Sequence, residues 1–159
     1  MRGHTPNDQL AQFIAKYSSE VAREGRAALR TLQRLVPGAV RLVYDNYNFL
    51  VVGFGPSERA SEAVLSLAFT PRWITLCFLQ GGPKLPDPHK LLRGSGTRVR
   101  NVKLTAADDL DKPAVRALLD ESLRRAAVPI DPRASGRLVI KSVSAKQRPR
   151  RPIEKKKHR

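Results

Sequence analysis

From Leu10 to Val36, apolar residues recur every three or four positions: Leu10, Phe13, Ile14, Tyr17 and Val21, then Ala28, Leu29, Leu32, Leu35 and Val36. That period puts them on one side of an α-helix. Thr5-Pro6-Asn7-Asp8 offers capping oxygens and a proline suited to a helix start, and Pro37-Gly38 ends the pattern. Gly25 falls inside it, so the segment reads as one long helix with a weak point or as two helices. Arg23, Arg26, Arg30 and Arg34 share the opposite side, the usual arrangement of a solvated face.

After Gly38 the period changes to two. Residues 40–45, 47–54, 63–70 and 72–80 are rich in Val, Leu, Ile and aromatics and are bounded by Gly, Pro and Asn, so they read as strands. Leu65, Leu67 and Phe69 share one face with Ile74, Leu76 and Phe78, which is the expected core face. Ser66, Thr75, Cys77 and Trp73 fall on the other, a mixed face that an antiparallel sheet can expose. Asp87-Pro88 opens a short expected helix through Leu92, and Gly94 suits its left-handed stop. A strand is expected at 98–104 and a last helix from Asp111-Lys112-Pro113, with Asp111 as N-cap and Val115, Leu118, Leu119 and Leu123 buried.

The pattern thus predicts an α+β domain over residues 1–127, with about five antiparallel strands and helices at both chain ends packed on one face. Residues 128–143 read as a linker in which RLVIKSV forms a possible edge strand. Residues 144–159 are basic, proline-bearing and poor in apolar groups, the composition of a disordered tail.

Composition sharpens this picture at two points. Only 6% of the residues are aromatic, yet Tyr44, Tyr47, Phe49, Phe54, Phe69, Trp73 and Phe78 crowd into positions 44–78. The net charge is +16, and residues 144–159 hold eight of the cations against Glu154 alone. Such a charge favours polyanions as partners, although an arginine-rich composition also serves solubility. Cys77 is the single cysteine, which excludes an intrachain disulfide and fits a reducing compartment. No apolar stretch reaches the ~20 residues of a membrane span, and MRGHTPNDQ lacks the apolar core of a signal peptide. A cytoplasmic location without membrane attachment is expected.

The element order and the segments VPGAVRLVYDNYNFLVVGFGP, PRWITLCFLQGG, LPDPHKLLRGSGTRVRNVKL and LDKPAVRALLDESL together resemble the YdhG-like family, domain of unknown function 1801, over about residues 10–127. The resemblance implies helices packed on a curved antiparallel sheet. One branch of that family is similar in shape to frataxin-type iron chaperones. Iron on such a surface needs clustered carboxylates. Here Asp8, Glu20 and Glu24 of the first helical stretch are interleaved with Lys16 and the four arginines, and Arg41 stands where the family often has an acid. Asp108, Asp109 and Asp111 form the only tight acidic group, at a helix start where capping accounts for them. No metal site is expected.

The segment Tyr44-Asp45-Asn46-Tyr47-Asn48-Phe49 supports two readings. In one, Asp45-Asn46 makes a hairpin turn and the tyrosines pack on the core with wet hydroxyls. In the other, Tyr44, Asp45, Asn46, Tyr47 and Trp73 form a cleft with the loop Arg93-Gly94-Ser95-Gly96-Thr97-Arg98 and with Arg100. Small residues, free backbone N–H groups and flanking guanidiniums suit an anion there. The loop is not a phosphate-binding P-loop, because the Gly-Lys-Ser/Thr ending and the following helix are missing. His4, His89 and His158 have no catalytic partner in sequence, His89 beside Asp87 apart, and no nucleophile or zinc motif appears.

The expectation is a non-catalytic binding domain without cofactor, a monomer or homodimer, taking a small anionic or polar ligand or a protein. The alternative is non-specific nucleic-acid association through Lys146, Arg148, Arg150, Arg151, Lys155, Lys156, Lys157 and Arg159.

Overall fold

The computed structural model describes residues 4–153. Helix α1 (Pro6–Ala15) is capped by the Thr5 hydroxyl, which accepts from the Asp8 N–H at 3.0 Å. Helix α2 (Ser19–Leu35) is capped by Ser18, whose hydroxyl accepts from the Val21 N–H at 3.3 Å. The helical pattern therefore divides between Ala15 and Ser19. Gly25 is instead buried inside α2, where a Cβ would stand 2.0 Å from Phe69 Cε2. Its missing side chain lets the helix backbone close on the Phe69 ring.

Strands β1 (Val40–Asp45), β2 (Leu50–Gly55), β3 (Leu65–Phe69), β4 (Ile74–Phe78) and β5 (Arg100–Leu104) form an antiparallel meander. The chain then passes through a 3-10 turn, Ala107–Asp111, and helix α3 (Pro113–Arg124). It returns as β6 (Leu138–Val143), parallel to β1, giving the order β5-β4-β3-β2-β1-β6. The sheet is open, six-stranded and mixed, where five antiparallel strands were expected. A parallel neighbour needs a long crossover, and the α3 connection supplies it.

Register explains the core. Phe54, Leu65 and Phe78 stand in one cross-strand row; Val43, Val52, Leu67, Leu76 and Val102 in the next; Asp45, Leu50, Phe69, Ile74 and Leu104 in the last. Every apolar member of these rows is buried and joins one cluster with Ile14, Tyr17, Ala28 and Leu32 of the N-terminal region and Leu118 and Leu119 of α3. The opposite face carries Tyr44, Val51, Ala68 and Thr75, all only half-buried.

Two expected caps are corrected. No helix forms at 87–92; the Asp87 carboxylate accepts the Leu91 and Leu92 N–H groups at 2.8 and 2.9 Å and closes a turn. Asp111 does not cap α3. Asp109 anchors that corner, accepting the Thr105 N–H at 2.8 Å and hydroxyl at 2.9 Å and pairing with Lys112 at 2.8 Å.

The last correction concerns the tail. Residues 144–153 run back across the end of the sheet. The Ser144 N–H donates to the Asp45 carbonyl at 2.9 Å, and the Arg148 N–H donates to the Tyr47 carbonyl at 2.8 Å. The expected boundary at 127 therefore moves, since β6 and this strap are built onto the domain. Residues 154–159, with Lys155, Lys156, Lys157 and Arg159, lie outside the described residues.

Candidate functional site

The row ending in Asp45 holds a carboxylate in the core. Asp45 has no exposed surface. Its Oδ1 accepts from the Arg150 guanidinium at 3.0 Å, and its Oδ2 faces the Lys16 ammonium at 3.5 Å. Arg150 is itself 5% exposed and also donates to the carbonyls of Asn46 and Tyr47. Its guanidinium carbon lies 5.8 Å from the centre of the Tyr17 ring. The Tyr17 hydroxyl accepts the Leu50 N–H at 3.1 Å and donates to the Phe69 carbonyl at 3.0 Å. It thereby ties the connection between α1 and α2 to the ends of β2 and β3. Burial is the main reason that the Tyr17 phenol titrates above its ordinary value.

These bonds fix the strap against the turn at 46–49, and the turn at 70–73 lies beside it. Between them opens a groove of about 450 Å³. Phe49 and Trp73, 43% and 37% exposed, contribute its aromatic surface. Pro149, Pro152 and Ile153 of the strap form an apolar wall, and Arg72, Arg148 and Arg151 supply charge. None of the described lining residues is acidic. The 70–73 turn is shaped by Thr70, whose side-chain oxygen accepts the Trp73 N–H at 3.1 Å and donates to the Trp73 carbonyl at 2.8 Å. The Lys103 ammonium sits 4.2 Å from the centre of the Trp73 ring, a cation–π contact. Glu20 and Glu24 approach Arg72 and Trp73 from the helical side. The Glu24 carboxylate is already held by the Ala107 N–H at 3.0 Å and by Arg23, which keep it below the usual range.

The composite cleft expected from the sequence does not form. Trp73 adjoins Phe49, but Arg100 pairs with Phe78 at the opposite end of the sheet, on an edge strand four places from β1. At the usual strand spacing that is about 19 Å sideways alone. Arg93, Gly94, Ser95, Gly96 and Arg98 are exposed there. Arg93 and Asn101 exchange backbone hydrogen bonds, and Arg100 turns its guanidinium onto the Gly96 and Val99 carbonyls. Through Nη1 that guanidinium closes its own loop.

The remaining predicted residues separate. Tyr44 lies on the half-open face; its hydroxyl is enclosed without a hydrogen-bond partner among the described residues, and burial pushes its phenol up. Asn46 accepts from the Ser142 hydroxyl at 2.9 Å and belongs to the strap's anchorage. Tyr47 is exposed and acts through its carbonyl. Of the basic set, Lys146, Arg148 and Arg151 are exposed, whereas Arg150 is committed to Asp45. Phe49, Arg72 and the strap's prolines were not among the predicted site residues. Only the concentration of aromatics at 44–78 hinted at them.

Other chemistry is sparse. The Cys77 thiol is pushed up by burial, which works against a reactive thiolate. His89 has lost Asp87 to the turn that Asp87 closes. Among the described residues no three His, Cys, Asp or Glu stand close enough to hold a metal ion, and no helix is long and apolar enough to cross a membrane. Comparison with protein-family models, with curated proteins and with solved structures finds no match.

Proposed function

We propose that this is a non-catalytic binding domain of YdhG-like type whose ligand lies in the groove between the 46–49 turn, the 70–73 turn and the strap. One observation carries the reading: an indole and a phenyl ring lie open in a groove whose charged lining is entirely arginine. The volume of about 450 Å³ is within the usual range for small-molecule sites. Aromatic faces favour a planar apolar body, and guanidiniums favour a carboxylate or phosphate attached to it. This moves the anion-binding part of the site from Arg93–Arg100 to Arg72, Arg148 and Arg151.

Trp73 is the only tryptophan of the chain, so intrinsic fluorescence reports on the groove directly. Titration with adenosine monophosphate and with an aromatic carboxylate is expected to quench or shift that emission saturably, while adenosine and free phosphate act far more weakly. Emission indifferent to planar anions would remove the groove as their site.

A further inference from the structure

We propose that the ligand of this groove is single-stranded nucleic acid, with a base stacked on Trp73, a neighbour against Phe49, and phosphates on Arg72 and Arg148. The inference rests on the groove being the binding site, and it names the polymer that would fill it.

The exposed aromatics are the first ground. Phe54, Phe69 and Phe78 are fully buried in the core rows, so leaving Phe49 and Trp73 open is not a matter of surplus rings. A stacking platform needs this exposure, because a base binds through its π-face, which only an unpaired strand can offer freely. Lys103 covers one face of the indole.

Charge is the second ground. The side chains of Arg72 and Arg148 have no ion pair or hydrogen bond among the described residues, while Arg151 donates to the Lys16 carbonyl at 3.2 Å. The groove therefore presents unpaired cations beside the rings. Two open rings beside two unpaired guanidiniums suit a ligand with more than one base and more than one phosphate, and a polyanion gains with each phosphate neutralised.

Order also matters. The buried Asp45–Arg150 pair holds the strap in place before any ligand arrives. This differs from a freely moving basic arm, which would bind any polyanion equally. Rings held beside guanidiniums discriminate in favour of exposed bases.

The test compares the full chain's affinity for a labelled single-stranded dodecamer, the matching duplex and inorganic polyphosphate of similar charge. Anisotropy and Trp73 emission are read in parallel, with adenosine monophosphate as a fourth probe. The single strand is expected to bind at least about tenfold tighter than duplex or polyphosphate and to quench Trp73. Trp73→Ala or Phe49→Ala is expected to lower single-strand affinity about tenfold or more while leaving polyphosphate binding unchanged. Arg148→Ser, at an exposed position, is expected to flatten the log–log salt dependence by about 0.7. Equal affinity for duplex, or single-strand binding untouched by both aromatic substitutions, overturns the proposal in favour of charge alone. Saturable quenching by the mononucleotide, with no gain for the dodecamer, overturns it and leaves the small-ligand reading intact. No response of Trp73 to any probe overturns both.

Discussion

A carboxylate with no access to water needs a counter-charge within reach, and Asp45 has two, Arg150 and Lys16. Asp45 and Arg150 are 105 positions apart, so neither the turn reading nor the ligand reading of YDNYNF anticipated the partner. The same argument fits Asp109, at the corner before α3. Burial pushes its pKa up, but Lys112, the Thr105 hydroxyl and two backbone N–H groups outweigh that and hold it at about 2, against an ordinary 3.8. A depressed folded-state value means that the charged form stabilises the fold above about pH 4 and that this contribution fades as pH falls toward 2. Asp109→Asn is expected to cost about 1–2 kcal/mol at pH 7 and much less near pH 2. Urea titrations of both proteins at the two pH values check this; a difference independent of pH would contradict it.

At the scale of elements, the strongest signals in the sequence were the periodic ones. The alternation Leu65-Leu67-Phe69 and Ile74-Leu76-Phe78 became the buried sheet face because register is set by which side must be dry. Gly25 misled because a glycine in a helical pattern reads as a weakness, and only the position of Phe69 reveals it as a space-maker. Gly25→Ala gains about 1 kcal/mol of helix propensity but must displace the ring, at about 1–3 kcal/mol. A net loss is expected, read as a lower midpoint in thermal denaturation with the helical signal retained. A raised midpoint would mean that Phe69 moves aside freely. β6 was legible as an edge strand, but its parallel partner was not, since that depends on where the long crossover lands.

For the whole molecule, local composition was the poorest guide. The basic stretch from Ser144 looked like a solvated tail because its anchors, the Asp45 carboxylate and the carbonyls of Asp45, Asn46 and Tyr47, lie in the first hairpin. The two halves of the expected cleft were each a reasonable fragment. The meander carried them to opposite ends of the sheet, and put in their place a groove of residues from three distant stretches. Its wall exists only while the strap is docked, so binding and the Asp45–Arg150 pair are coupled in this account. The measurement that tests this most directly is hydrogen exchange of the wild type and of Arg150→Ala, each with and without the single-stranded dodecamer. Slow exchange of the Ser144 and Arg148 N–H groups is expected in the free wild type, with added protection at 70–73 and 148–153 on binding. Both effects are expected to be lost in Arg150→Ala. Unprotected Ser144 and Arg148 in the wild type, or the same ligand protection in the variant, would contradict it.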